Sequence, residues 1–153
     1  MTDDLTYKEI RTAKSGEAVP VFNGGSAMYS LYNPARDAEA FAESFYTDGQ
    51  ENARCGFAVV FGIGNGLHIT ALADKNPDLR VLAVEHSALN IEFLKARIPR
   101  AEVFTHPRVT ICRLGALAES FLALYIPALH GAARAVFSAG MEKRASARLQ
   151  SGM

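Results

Sequence analysis

A parallel α/β sheet is what this sequence predicts, on three observations. The apolar run Phe57–Phe61 stops at alternating glycines, Gly62, Gly64 and Gly66. A helical pattern follows, through Leu67, Ile69, Leu72 and Ala73. After a Pro/Asp break, a second apolar run ends in Glu85. Strand, glycine turn, helix, strand and acid, with the acid roughly 20 residues past the glycines, is the order of a Rossmann-like unit. The glycines let the backbone approach a ligand, the helix N-terminus offers free N–H groups, and the terminal acid can accept hydrogen bonds from ribose hydroxyls.

The elements follow in chain order. Met1–Ala13 reads as a short polar lead or first helix, broken by Lys14-Ser15-Gly16. Ala18–Phe22 and Ala27–Leu31 flank Asn23-Gly24-Gly25, a hairpin signal. Asn33-Pro34 starts a helix, with Asn33 as cap and Pro34 in its first turn. Asp37 and Glu39 suit its N-terminal end, and Ala38, Phe41, Ala42 and Phe45 form its buried stripe. Thr47–Cys55 is a polar linker.

Strand Phe57–Phe61, helix Asn65–Lys75 and strand Leu79–Glu85 come next. Helix Ala88–Ile98 places Leu89, Phe93, Leu94 and Ala96 inward, and Pro99 closes it. Arg108–Leu114 is the third core strand, Leu117–Tyr125 a third helix, Ala133–Ser138 a fourth strand, and Met141–Met153 a basic, polar tail. Alternating strands and helices imply parallel pairing, with strand order 3-2-1-4 and a ligand at the C-terminal ends of strands 1 and 2. The expected organisation is a hairpin and helix extension over 1–56, a truncated Rossmann-like core over 57–140 and the tail over 141–153.

The 153 residues suit one domain with a sizeable core. Hydrophobic residues make up 49% and charged residues 21%, a globular balance. Sixteen basic and sixteen acidic residues cancel, which argues against a nucleic-acid partner. MTDDLTYKEI has neither the basic start nor the apolar centre of a secretory signal, so a cytoplasmic location is expected. Glu119, Pro127, His130 and Arg134 interrupt the apolar stretch Leu114–Phe137, so no membrane partner is expected. Cys55 and Cys112 have no paired spacing and read as buried free thiols.

The candidate cofactor residues are Gly62, Gly64, Asn65, Gly66, His68, Glu85 and His86. Each has a plain alternative: a tight turn for the glycines, a solvated strand end for Glu85, packing or capping for His68, and a surface position for His86. Lys14, Ser15 and Arg36 could form an anion site, although Ser15-Gly16 also reads simply as a turn. His68, His86, His106 and His130 lack metal-ligand spacing, and no serine elbow is present.

The spacing Gly62-x-Gly64-x-Gly66 resembles the first motif of S-adenosylmethionine (SAM) methyltransferases. Three departures from that family weaken adenosyl recognition. Leu114-Gly115 stands where such enzymes place an acid after the third strand, Val60-Phe61 replaces the acid before the first glycine, and no Asn-Pro-Pro-Tyr motif occurs.

A second resemblance spans roughly Ala13–Ile98. Lys14-Ser15-Gly16, then Ser30-x-Tyr32-x-Pro34 before an acidic helix, then Gly62-x-Gly64-x-Gly66-x-His68 and a strand ending in Glu85 resemble the N-terminal part of Maf-type proteins, the motility accessory factors of flagellin glycosylation. That resemblance implies a Rossmann-like accessory domain, non-catalytic alone, with a nucleotide or nucleoside as its ligand. Maf-type proteins carry a separate transferase domain, so no transferase residue carries over. The competing readings are a small SAM-dependent methyltransferase and an interaction module with an empty pocket. The expected partners are a second copy of the chain, through Leu117–Phe137, or a glycosyltransferase domain.

Overall fold

The structure is a computed structural model and describes residues 5–28, 31–48 and 55–138. A two-stranded antiparallel hairpin pairs β1 (Tyr7–Thr12) with β2 (Ala18–Phe22). Helix α1 (Pro34–Asp48) follows. The core then alternates β3 (Cys55–Phe61), α2 (Leu67–Lys75), β4 (Arg80–Glu85), α3 (Ala88–Arg97), β5 (Val109–Arg113), α4 (Leu117–Leu124), the single turn α5 (Pro127–His130) and β6 (Ala132–Phe137). The four core strands are parallel and ordered β5-β4-β3-β6. This is the expected 3-2-1-4 order, and it makes the fold Rossmann-like.

Phe57, Ala58, Val60, Val81, Leu82 and Ala83 are fully buried, as near-continuous apolar strands of a sheet covered on both faces must be. One face packs with the hairpin, α1 and α2 into a single core that includes Val19, Phe22, Met28, Ala42, Ile69 and Leu72. The other face joins Phe57, Val59, Leu82 and Val84 to Phe121, Leu124 and Tyr125. The α1 reading holds in detail. Asn33 Oδ1 accepts from Arg36 N at 3.2 Å, and Ala38, Ala42 and Phe45 are buried with Phe41 half-buried.

Three expectations need correction. The hairpin partner of Ala18–Phe22 is Tyr7–Thr12, not Ala27–Leu31. Residues read as a polar lead or helix therefore form a strand, because Tyr7 is anchored in the core across the molecule. The Asn23-Gly24-Gly25 turn does form, with Phe22 N donating to Ser26 O at 2.9 Å; among the described residues the bridge Val21–Ala27 and the bond from Met28 N to Pro20 O at 2.9 Å continue it, and residues 29–30 of the expected strand lie outside them.

Helix α3 turns Leu94 and Phe93 inward as expected, but not Leu89 and Ala96. Leu89 is 70% exposed and Ala96 is exposed, while Asn90 is fully buried. Polar bonds, not apolar periodicity, place Asn90. Lastly, Cys112 is buried as expected but Cys55 is only half-buried. The expected tail, Met141–Met153, lies outside the described residues. Among them, no helix is long and apolar enough to cross a membrane.

Candidate functional site

The glycine turn stands between β3 and α2, as the sequence predicts. Gly62, Gly64 and Gly66 all adopt positive φ, at 96°, 56° and 78°. Gly66 is doubly constrained, since a Cβ there would lie 2.4 Å from the Val103 side chain. All five residues from Gly62 to Gly66 are buried.

Glu85 ends β4 with no exposed surface. Burying a carboxylate is costly unless its oxygens are fully hydrogen-bonded, and here four donors do this. Oε1 accepts from the Tyr7 hydroxyl at 2.6 Å and from Ile63 N at 3.0 Å. Oε2 accepts from His86 N at 2.9 Å and from Asn90 Nδ2 at 3.1 Å. The acceptor expected to serve a ribose is thus occupied by the protein itself. The Tyr7 hydroxyl oxygen also accepts from Gly64 N at 3.3 Å. One phenol bridges the acid and the middle glycine.

Tyr7 is held from all sides. Its ring stacks on Phe22 with centroids 5.0 Å apart and lies 6.0 Å from that of Phe93. The Met28 sulfur is 3.2 Å from its hydroxyl. Asn90 ties the same strand to α3: its Oδ1 accepts from Tyr7 N at 3.1 Å and its Nδ2 donates to Leu5 O at 2.7 Å. Sequence reading missed Tyr7 and Asn90. The available signal was an amide within the apolar pattern of α3, which needs buried partners to be there.

The remaining expected residues hold the loop together. Asn65 Nδ2 donates to Ala18 O of the hairpin at 2.8 Å, and its Oδ1 accepts from Leu67 N at 3.1 Å. His68 is buried, with Nε2 2.8 Å from Gly62 O and its ring edge-on to Phe41. Burial pulls its pKa down to about 4, against the opposing pull of the Gly62 bond. The ring is therefore neutral near pH 7 and donates Nε2–H to that carbonyl. His86 is half-buried and contributes its backbone N–H.

The structure brings Lys14 and Ser15 to the Leu31–Tyr32 segment. Lys14 N donates to Leu31 O at 2.8 Å, Ser15 N donates to Tyr32 O at 3.1 Å, and the Lys14 ammonium sits 5.1 Å from the Tyr32 ring centre. The Ser15 hydroxyl donates to Glu17, and Arg36 is exposed. Among the described residues, no cluster of three His, Cys, Asp or Glu could hold a metal ion.

No protein-family model matches the sequence, and no curated protein does. Solved structures similar to it include coclaurine N-methyltransferase bound to N-methylheliamine and SAH, at 20% identity over 50% of this chain and 21% of that chain, with a TM-score of 0.35. Spermidine synthase from Thermotoga maritima aligns at 15% identity over 74% of this chain and 42% of that one, TM-score 0.48. A spermidine synthase complex with the transition-state analogue AdoDATO aligns at 13% identity over 74% and 41%, TM-score 0.48. The chain spans less than half the length of each of these proteins.

Proposed function

We propose that this chain is a Rossmann-like accessory domain of the Maf N-terminal type, non-catalytic by itself, whose nucleoside position is filled by its own hairpin. The observation that carries the reading is the fourfold coordination of Glu85, with the Tyr7 hydroxyl between that carboxylate and Gly64 N. The phenol takes the place of a ligand hydroxyl, and the domain gains a rigid joint between hairpin and sheet. Contacts between the Lys14-Ser15 turn and Leu31-Tyr32 support the family reading, since they join two segments of the resemblance. In such a system the domain would work beside a glycosyltransferase domain in flagellin glycosylation.

A second reading is a small SAM-dependent methyltransferase. The complete strand, positive-φ glycine turn and helix favour it. It requires Tyr7 to leave Glu85 before the ribose can bind. Thermal-shift titration with SAM, S-adenosylhomocysteine, NAD, CMP, CDP, UDP and GDP separates the two, because a ligand that binds only the native state raises its apparent stability. The first reading expects no shift with the unmodified chain. A saturable shift with SAM, followed by methyl transfer to any acceptor, would establish the second.

A further inference from the structure

The end of the sheet opposite the glycine turn carries a concavity of about 490 Å³. That size suits a small-molecule site. Two arginines line it: Arg80, the first residue of β4, and Arg108, directly ahead of β5. Their strands are hydrogen-bonded neighbours, with Val81 N donating to Arg108 O at 2.9 Å. The two side chains therefore arise about one strand spacing apart, roughly 4.8 Å.

Neither guanidinium forms an ion pair among the described residues. Arg108 is fixed by its Nη1, which donates to the carbonyls of Ala73, Asn76 and Leu79 at 3.0, 2.9 and 3.1 Å. Arg80 has one long contact, Nη2 to Thr110 Oγ1 at 3.4 Å. Its Nε is buried with no hydrogen-bond partner. An orphaned buried donor on a cation calls for an acceptor. His130, nine-tenths buried on the same wall, accepts from Ile126 N through Nδ1 at 3.0 Å, which leaves Nε2 as the ring's N–H. Asp78 is the carboxylate on the lining, and its residue is exposed.

We propose that this concavity binds a phosphomonoester of a small organic molecule. The phosphate would lie on Arg80 and Arg108, and the organic part against the exposed Leu129. One guanidinium fork satisfies a carboxylate; two forks from neighbouring strands suit a tetrahedral dianion. The site is separate from Glu85 and does not depend on the reading given to the hairpin.

The test is titration of the full chain with phenyl phosphate and with inorganic phosphate, read by calorimetry and by the side-chain Nε–H resonance of Arg80. Saturable binding of phenyl phosphate that moves this resonance is expected, tighter than for inorganic phosphate. Arg80→Gln should weaken it by about tenfold or more, the loss of a charged hydrogen bond. Asp78→Asn removes an exposed negative charge near the anion and should tighten binding by a few-fold. This variant keeps the test decisive if Arg80→Gln fails to fold. Absence of saturable binding, a stationary Arg80 resonance, undiminished affinity in folded Arg80→Gln, or unchanged affinity in Asp78→Asn would each overturn the proposal.

Discussion

The Tyr7 hydroxyl lies 2.6 Å from Glu85 Oε1, joining residues 78 apart in sequence. It makes the N-terminal strand part of the site rather than an appendage. The carboxylate that ends β4 would be an uncompensated buried charge without the hairpin and Asn90.

Tyr7→Phe keeps the ring packing and deletes the hydroxyl. A hydrogen bond to a charged group contributes about 1.5–3 kcal/mol, so unfolding stability should fall by that amount. Urea denaturation of the variant, and of Glu85→Gln alone and combined with it, gives the coupling energy. Additive effects in that cycle would show that the two side chains do not support each other.

Gly66→Ala should destabilise by more than Gly16→Ala. Both glycines have positive φ, 78° and 106°, and both substitutions add backbone strain on the order of 1–3 kcal/mol. Only Gly66 also meets a neighbour, the Val103 side chain, while nothing lies within 4 Å of a Cβ at Gly16. Val103→Ala in the Gly66→Ala background should recover part of the loss. Equal melting temperatures for the two glycine variants would refute the contact.

His68 gives the stability a pH dependence with a defined sign. Its folded pKa, about 4, lies below its ordinary value of 6.5, so the unfolded chain binds more protons between these limits. The contribution is fully present above pH 6.5, declines as pH falls and is lost by about pH 4. Its size is on the order of 3 kcal/mol. Denaturation midpoints at several pH values, compared with those of His68→Gln, should show a flatter profile in the variant across this window.

Leu122, Ile126 and Leu129 are 79%, 52% and 62% exposed on α4 and the segment after it. Such a cluster is a candidate contact for another protein surface, and a homodimer through it is the expected association. Light scattering should give more than the monomer mass of 16.5 kDa. Leu122→Glu should restore the monomer without disturbing the core. Leu124 is unsuitable for this purpose because it packs against the sheet. A monomer at all concentrations would exclude the dimer.

Local pattern by itself determined the core of this protein. Apolar runs at Phe57–Phe61 and Leu79–Glu85, glycines between them and the helical stripe through Ile69 and Leu72 specify β3, α2 and β4, because period and turn chemistry act between sequence neighbours. Asn33 and Pro34 likewise mark the start of α1. Tertiary structure alone decided what surrounds Glu85. Whether that carboxylate faces a ligand or the protein depends on Tyr7, whose own stretch carries no strand signal strong enough to place it. Asn90, not Leu89, is buried at the start of α3 for the same reason: the amide has three partners there. Buried polar groups must be satisfied wherever their partners lie in the chain, and no local period encodes those distances.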